Sequence, residues 1–449
     1  MAMTPFLTPP PAVSFWLCNA RIPQCFLDET VSHRPVIESL ATAPFFENLV
    51  AADVQIQAGQ IVEIAPVGTA PPEAQSVNLA QGLIFPCFVD MHTHLDKGHI
   101  WPRQGNPNGT FEQALAAVIQ DAPNWQPDEL HQRMEFSLRC AYAHGTKALR
   151  THFDAFGPMA KTALEVLAAL QAAWRDRLAL QAVNLVSLDY YLTEQGHQLA
   201  QLVAEHQGIL GGVVYPNPDL TKQLEQLFTL AAEFDLAIDL HVDESLDPAS
   251  QVLRAVAETK LRHRFANPVI CGHCCSLSVQ SDEDVAATLD LVKAANIGIV
   301  SLPLCNLYLQ DRHPGRTPRY RGVTLLQELK SAGIPVAIAS DNTRDPFYAY
   351  GDLDGLEVLT HSARIAHLDR PIADWPLAIT RTPAELMGLP ATFGRIGIGY
   401  PADLILFKAR SFNELFARPQ SDRVVLRQGQ SIDTTLPDYA ELDALLDRG

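Results

Sequence analysis

The chain has 449 residues, of which 47% are hydrophobic, and its 33 Lys and Arg against 51 Asp and Glu give a net charge of −18. This composition is typical of a globular protein, and the negative charge disfavours nucleic acid and anionic membranes as partners. No apolar run approaches the roughly 18 residues that cross a bilayer. A secretory signal carries basic residues near its start, whereas the first basic residue here is Arg21. We therefore expect a cytoplasmic protein.

Both ends of the chain contain short, alternating apolar segments, which are typical of strands. Near the N-terminus, Ala58-Gly59 interrupts such a stretch and predicts the turn of a hairpin. Gly and Pro punctuate the segments near the C-terminus. The segments are Val13–Cys18, Val54–Ile64, Ala402–Phe407 and Arg423–Gly429.

Between these ends, eight apolar strand candidates alternate with amphipathic stretches such as Pro127–Ala143 and Asp282–Ala294. This alternation predicts an α/β protein with a (β/α)8 TIM barrel. The candidates are Ile84–Val89, Ala148–Thr151, Ala179–Val186, Ile209–Val214, Leu236–His241, Pro268–His273, Ile297–Leu302 and Pro335–Ser340.

The same pattern predicts the division of the chain into domains. We assign residues 84–393 to the barrel. Residues 1–83 and 394–435 are expected to form one small β-sandwich-like domain that is built from both termini. Residues 436–449 read as an acidic tail with a surface helix.

The first strand candidate runs into His92-Thr-His94. Residues two apart in an extended chain point to the same side, so the two imidazoles leave the strand end together, as a pair of metal ligands must. Taken alone, such a pair is more often two exposed loop histidines. Residues elsewhere in the chain have to support the metal interpretation.

That support comes from the other strand ends, because the reacting groups of such barrels lie at the C-terminal ends of the strands. Strand five ends in His241, strand six in His273, and strand eight is followed by Asp341. Three imidazoles and a carboxylate suit one divalent ion, Zn²⁺ or Fe²⁺, with a position left open for water. The expected ligands are His92, His94, His241 and Asp341.

Two more residues are candidates for proton chemistry. Glu244 follows His241 by three residues, and it is expected to carry a proton between a metal-activated hydroxide and a leaving nitrogen. His273 is expected either to hydrogen-bond the developing oxyanion or to orient a ligand. His152 and Asp154 end strand two and fit a site role and a buried hydrogen-bonded pair equally well.

Cysteine chemistry offers an alternative metal site. Cys271, Cys274 and Cys275 suggest zinc binding, but no second Cys-x-x-Cys pair completes a tetrahedral set. We expect the eight cysteines of the chain to be reduced and mostly buried.

These motifs together resemble a known family. The stretch Gly-Leu-Ile-Phe-Pro-Cys-Phe-Val-Asp-Met-His-Thr-His94 is similar to the first-strand signature of the amidohydrolase superfamily, although Cys87 stands where a glycine is usual. Within that superfamily the chain resembles bacterial cytosine deaminase and its relatives. The stretches that carry this resemblance are Arg150–Asp154, His241–Glu244, Gly272-His273, Pro303–Gln310 and Ser340–Phe347. The stretch Gly399–Leu406 resembles the return of the superfamily's chain into the β-domain that both termini build.

The resemblance implies a single-metal aminohydrolase with Glu244 as the proton shuttle and Asp341 as the metal carboxylate and second proton acceptor. Two-metal members bridge their ions with a lysine on strand four, whereas this strand ends in Tyr215. The positions that choose the substrate depart from cytosine deaminase. The candidates there are Ser187, Asn306, Asn342 and Phe347.

The leading hypothesis is hydrolytic release of ammonia from a nitrogen heterocycle, either a cytosine-like pyrimidine or a related cyclic amidine. One alternative is the release of an alkylamine from an N-alkyl aminotriazine, as by N-isopropylammelide amidohydrolases. Another is a non-catalytic binding barrel, which is disfavoured because all four ligands are present. Barrels of this kind often assemble, so a homo-oligomer is also an expectation.

Overall fold

The computed structural model describes residues 6–32, 39–40, 47–155, 157, 159–418 and 422–446. In these ranges the strands, numbered β1 to β17 in chain order, are Ser14–Pro23, Ser39–Leu40, Leu49–Gln57, Gln60–Ala65, Ser76–Asn78, Ile84–Pro86, Phe88–Thr93, Thr146–Asp154, Ala179–Leu185, Leu210–Val214, Ile238–Val242, Val269–His273, Ile297–Ser301, Val336–Ile338, Leu404–Phe407, Arg423–Arg427 and Gln430–Ser431.

The α-helices of the same ranges, numbered α1 to α14, are Glu29–Ser32, Phe111–Asp121, Pro127–His144, Met159–Trp174, Glu194–Glu205, Leu220–Glu233, Val252–His263, Asp282–Ala294, Pro303–Leu309, Leu326–Ser331, Gly355–Ile365, Arg381–Leu386, Phe412–Phe416 and Asp443–Leu446. None of these helices is long and apolar enough to cross a membrane.

The chain divides into two compact units. One contains the described residues within 1–89, 141–147 and 354–436, and the other contains those within 90–140, 148–353 and 437–449. The predicted barrel range, 84–393, differs from this division because residues 354–393 cluster with the N-terminal segment.

The larger unit is a parallel (β/α)8 barrel, as the sequence predicts. Strands β7 to β9 form one sheet, and β10 to β14 form a second one in sequential order. Bridges Val183↔Ile209 and Ser187↔Val213 join β9 to β10, and Thr93↔Asp341 joins the end of β14 to β7. These bridges close the ring, so the C-terminal ends of all eight strands meet on one rim.

The smaller unit contains two sheets. The first consists of N-terminal strands, with β1 between β3 and β5, and β3 continues into β4 as a hairpin. Its turn is the predicted Ala58-Gly59, which has φ values of 50° and 81°. Positive φ at both positions matches a type I′ turn, whose twist suits a two-residue hairpin. The second sheet, in the order β17-β16-β15-β6, combines strands from both parts of the chain.

One strand prediction needs correction. The predicted first barrel strand, Ile84–Val89, is divided, because Ile84–Pro86 pairs antiparallel with Leu404–Phe407 and only Phe88–Thr93 continues into the barrel. Pro86 has no N–H and cannot extend a ladder. The apolar run is continuous in sequence, so its pattern gives no sign of the break.

The acidic tail also differs from its prediction. It contains a short turn at Tyr439–Leu442 followed by the helix Asp443–Leu446. Leu442 and Leu445 are buried in one cluster with Phe136 and Cys140. The tail therefore has an apolar anchor, which its acidic composition conceals.

Candidate active site

The rim of the barrel brings together the four predicted metal ligands. The Nε2 atoms of His92 and His241 are 3.1 Å apart, and those of His241 and His94 are 3.2 Å apart. Asp341 Oδ1 lies 3.3 Å from His94 Nε2 and 3.7 Å from His92 Nε2. Four ligand atoms from three strand ends thus point at one small volume.

This spacing fits a bound ion. In a tetrahedral site with ligands about 2.1 Å from the metal, neighbouring ligand atoms are about 3.4 Å apart. The two oxygens of Asp341 are buried and have no hydrogen-bond partner among the described residues, and the same holds for Nδ1 of His92 and of His241. Unpaired buried polar atoms are costly, and because Asp341 Oδ1 faces the Nε2 atoms, this oxygen is available to a metal ion that the Nε2 atoms also bind.

Electrostatics keep these imidazoles in the form that binds metal. Burial, together with neighbouring cationic groups, lowers the pKa values of His92, His94 and His241 well below the usual range. The rings are therefore neutral and offer a lone pair. Burial also raises the pKa of Asp341 to about 8, which shows how poorly this carboxylate is stabilised without a cation.

The backbone at the site is unusual. His273 has a φ of 68° and Asp341 a φ of 67°, both in the left-handed region that non-glycine residues rarely occupy. Such strain persists where surrounding structure enforces it, often at functional sites. Gly272 adds a close approach, since a Cβ there would lie 3.0 Å from His92 Cε1. Only glycine leaves that space for the ring.

Glu244 and His273 lie beside the cluster. The Glu244 side chain is 11% exposed and its Oε1 is 3.4 Å from His273 Nδ1. Burial and the charge of Asp341 raise the pKa of Glu244 well above its usual value. Asp243 holds this loop in place, because its carboxylate accepts hydrogen bonds from Val252 N and Leu253 N at the start of α7.

The predicted substrate residue Asn306 has a different position from that expected. It is fully buried, and its Nδ2 lies 3.0 Å from His273 Nδ1 and 3.4 Å from Glu244 Oε1. Asn306 is not among the residues that line the cavity. His273 Nδ1 thus faces both an amide and a carboxyl oxygen, while its Nε2 is buried without a hydrogen-bond partner among the described residues.

The site opens into a cavity of about 220 Å³. The predicted residues Ser187, Asn342 and Phe347 line it, together with His94, His241, Glu244, His273 and Asp341. The remaining walls are largely apolar and include side chains that the sequence patterns did not single out. These are Phe111, Leu115, Val118 and Ile119 of α2, with Leu185, Val186, Val213 and Tyr215.

Sequence reasoning overlooked helix α2 and Lys97, the partner of the candidate Asp154. The α2 residues recur with helical spacing, which is the signal that could have identified an apolar face. Lys97 and Asp154 also line the cavity, and Lys97 Nζ is 2.9 Å from Asp154 Oδ1. Burial lowers the pKa of Lys97, but Asp154 and Asp96 outweigh burial and hold that pKa above its usual value.

The other candidate on strand two, His152, has a different environment from Asp154. The ring of His152 stacks on that of His92 at 4.0 Å between centroids, and its Nε2 lies 3.9 Å from Asp239 Oδ1. His152, His92 and Asp239 also have ligand atoms close enough to hold an ion. His152 does not line the cavity, so its place is beneath the rim cluster.

The predicted cysteine chemistry agrees with the structure. All eight cysteines lie within the described residues and are free thiols, and six of them are buried. Burial raises the pKa values of Cys271, Cys274 and Cys275 well above the usual range. Burial therefore favours the protonated form of each of these thiols.

Comparisons with known proteins identify relatives of this chain. The model of the amidohydrolase family matches residues 162–433. A pterin deaminase from Rhizobium rhizogenes is 50% identical over 443 residues, which cover 98% of this chain and 99% of that protein. The N-isopropylammelide isopropyl amidohydrolase of Pseudomonas sp. (strain ADP) is 24% identical over 371 residues, covering 80% of this chain and 88% of that protein.

Among solved structures, 5-methylcytosine deaminase from Klebsiella pneumoniae superimposes with a TM-score of 0.79 at 24% identity, covering 95% of this chain and 98% of that chain. At this identity the likeness shows the fold, and it confirms the predicted barrel architecture. The family model covers more than half of the chain, and the pterin deaminase is similar over nearly its whole length. The chain belongs to the amidohydrolase family.

Proposed function

We propose that this protein is a metal-dependent deaminase that releases the amino group of a pterin as ammonia. The observation that carries the proposal is that His94, His241 and Asp341 of the cluster line one cavity together with Glu244 and His273. Identity of 50% to a pterin deaminase over 98% of the chain favours a pterin over the cytosine-like pyrimidine that the sequence alone suggested.

In this proposal His92, His94, His241 and Asp341 hold one divalent ion, Zn²⁺ or Fe²⁺. Neutral imidazoles with one carboxylate are a suitable donor set for either ion. When bound, such an ion would lower the pKa of water towards neutrality and so make water a better nucleophile.

Glu244 moves the protons of the reaction. Deamination consumes one water and exchanges the amino group on the attacked ring carbon for oxygen. One proton of that water has to reach a ring nitrogen, and the leaving nitrogen has to depart as ammonia. Glu244 lines the cavity beside the cluster, and because burial and the charge of Asp341 raise its pKa, this carboxyl group holds a proton more readily than an exposed glutamate does.

His273 stabilises the oxygen that develops negative charge. In this proposal the Asn306 amide donates to His273 Nδ1 and the His273 proton is on Nε2, because a donor is most effective in a cavity that excludes water. Asn306 is in this proposal a positioning residue that fixes the tautomer of His273, in place of the substrate contact expected from the sequence.

The test uses purified protein loaded with Zn²⁺ or Fe²⁺. Ammonia release from pterin, cytosine and 5-methylcytosine is measured with Glu244→Gln and, as a matched control, Asp247→Asn, which changes an exposed carboxylate of the same loop. We expect pterin to be preferred and Glu244→Gln to lower kcat by roughly 10²- to 10⁴-fold at unchanged metal content. Full activity of Glu244→Gln, or ammonia from cytosine but not from pterin, contradicts the proposal.

A second candidate is the removal of an alkylamine from an aminotriazine. The observation that favours it is the apolar wall of α2, where Leu115 and Ile119 are exposed at 39% and 60%. Assays of N-isopropylammelide for isopropylamine separate this candidate from pterin deamination. Protein that binds neither Zn²⁺ nor Fe²⁺ would instead support the non-catalytic barrel.

A further inference from the structure

Lys97 and Asp154 form an ion pair inside the cavity. The Lys97 side chain is 3% exposed and that of Asp154 is 10% exposed, and both line the same space as Glu244 and His273. The other walls are mostly apolar. Neither charge is required to hold the proposed ion, so the mechanism above leaves the pair without a role.

The pair is held rigidly. Asp96 accepts hydrogen bonds from Lys97 N at 2.9 Å and from Asp154 N at 2.8 Å, using one carboxylate oxygen for each. Arg133 anchors the same loop through Gly98 O at 3.0 Å. Sites that recognise a ligand by geometry are built this way, with the contacting groups fixed by a supporting set of hydrogen bonds.

Stability alone gives no reason for this arrangement. Buried ion pairs are often no better for stability than apolar residues of similar volume, because desolvation offsets the attraction. Asp154 bonds the ammonium through Oδ1, and its Oδ2 makes no hydrogen bond with the described residues. The pair therefore presents to the cavity an ammonium donor and, next to it, a carboxylate acceptor.

We propose that Lys97 and Asp154 are specificity-determining residues that bind the lactam edge of the substrate ring, the adjacent C=O and N–H groups. This inference rests on the proposed function. In a pterin those groups are the C4 carbonyl and N3–H, and they lie next to the carbon that carries the amino group. Lys97 donates to the carbonyl and Asp154 accepts from N3–H, since adjacent donor and acceptor groups complement each other.

The position of the pair suits this role. Lys97 Nζ is 3.3 Å from His94 Nδ1, and the pair lines the same cavity as His94, His241 and Asp341, so a ring whose lactam edge contacts the pair lies in the cavity that the cluster faces. A ring with an amino group in place of the C4 carbonyl has the opposite hydrogen-bond pattern on this edge. A buried site that hydrogen-bonds its substrate rejects such analogues strongly, because its own polar groups are then left unpaired.

The test compares pterin with 2,4-diaminopteridine on metal-loaded protein, using Lys97→Met, Asp154→Asn and the neutral double variant. Lys147→Met is the matched control, since Lys147 pairs with Asp403 at 3.3 Å in the smaller unit. The selectivity ratio is kcat/KM for pterin divided by kcat/KM for the diamino analogue. Each single variant is expected to lower this ratio by roughly 10- to 100-fold, because the loss of one hydrogen bond to a charged group has an effect of that size.

Binding gives a readout apart from turnover. Lumazine, the deaminated product, retains the lactam edge and is fluorescent, so its affinity is expected to fall by a similar factor in both single variants, with metal content unchanged. An unaltered selectivity ratio, or a loss of metal with Lys97→Met, overturns the inference while wild-type pterin deamination stands. If wild-type protein leaves pterin intact, the proposed function fails instead. The double variant removes both buried charges together, which preserves folding if a single variant does not fold.

Discussion

Two buried aspartates, Asp341 and Asp354, show opposite uses of the same side chain. Asp341 belongs to the barrel unit, both its oxygens lack partners among the described residues, and burial raises its pKa to about 8. Asp354 belongs to the smaller unit. Burial raises its pKa, but Arg423 and His144 outweigh burial and lower the pKa to about 2.

The difference lies in what the surrounding chain supplies. Asp354 accepts hydrogen bonds from both Nη atoms of Arg423 and from Leu356 N at the start of α11. Asp341 has neighbouring imidazoles that are themselves neutral. A satisfied carboxylate stabilises the fold, whereas an unsatisfied one is available to a ligand. Three changes test this distinction.

The largest effect is expected from Asp341→Asn. This variant removes the proposed anionic ligand, and loss of metal chemistry worth several kcal/mol corresponds to a fall in kcat/KM on the order of 10³-fold. Elemental analysis is expected to show metal loss. Since burial in the folded chain opposes the ionisation of Asp341 and an asparagine does not ionise, the Tm of metal-free protein should rise at neutral pH. A variant that retains both metal and activity would remove Asp341 from the site.

The next effect concerns pH in metal-free protein. Because the folded-state pKa of Asp341 is raised to about 8, the folded chain binds more protons than the unfolded chain between about pH 4 and pH 8. The contribution of Asp341 to the unfolding free energy is therefore lost as pH rises through that window. Urea unfolding at several pH values should show this slope, and Asp341→Asn should flatten it. An identical slope in the variant would contradict the assignment.

A smaller effect is expected from Asp354→Asn. The folded-state pKa of about 2 is depressed, so the stability it supplies is present above about pH 4 and is lost as pH falls towards 2. The variant should lose about 2 kcal/mol of unfolding free energy at pH 7, with kcat unchanged. Glu165→Gln is the control, because its pair with Lys161 is exposed and worth about 0.5 kcal/mol or less. Equal effects of the two variants would refute the stabilising role of Asp354.

The sequence was sufficient to predict the barrel and the cluster because both depend on simple rules. The C-terminal ends of the strands share one rim in a parallel barrel, so the proximity of His92, His241 and Asp341 can be predicted from the sequence. The break at Pro86 was not predictable, since it depends on pairing with Leu404–Phe407 from a distant part of the chain.

The cavity walls were harder to predict than the cluster. Lys97 follows His94 by only three residues, yet its inward position depends on an ion pair with Asp154, which lies 57 residues further along the chain. Asn306 was expected to contact substrate, but its amide faces His273 and Glu244. Polar residues at a rim can point either way, and spacing in sequence does not decide between them.

Helix α2 has a consequence for altering this protein. It lies in the connection between β7 and β8 and supplies Phe111, Leu115, Val118 and Ile119 to the cavity, while the metal-ligand candidates lie at strand ends. The cavity wall that would limit the size of a substrate and the proposed metal ligands thus belong to separate stretches of the chain. A library confined to the cavity-lining positions of this helix can be screened for new ring substituents without changing the proposed metal ligands.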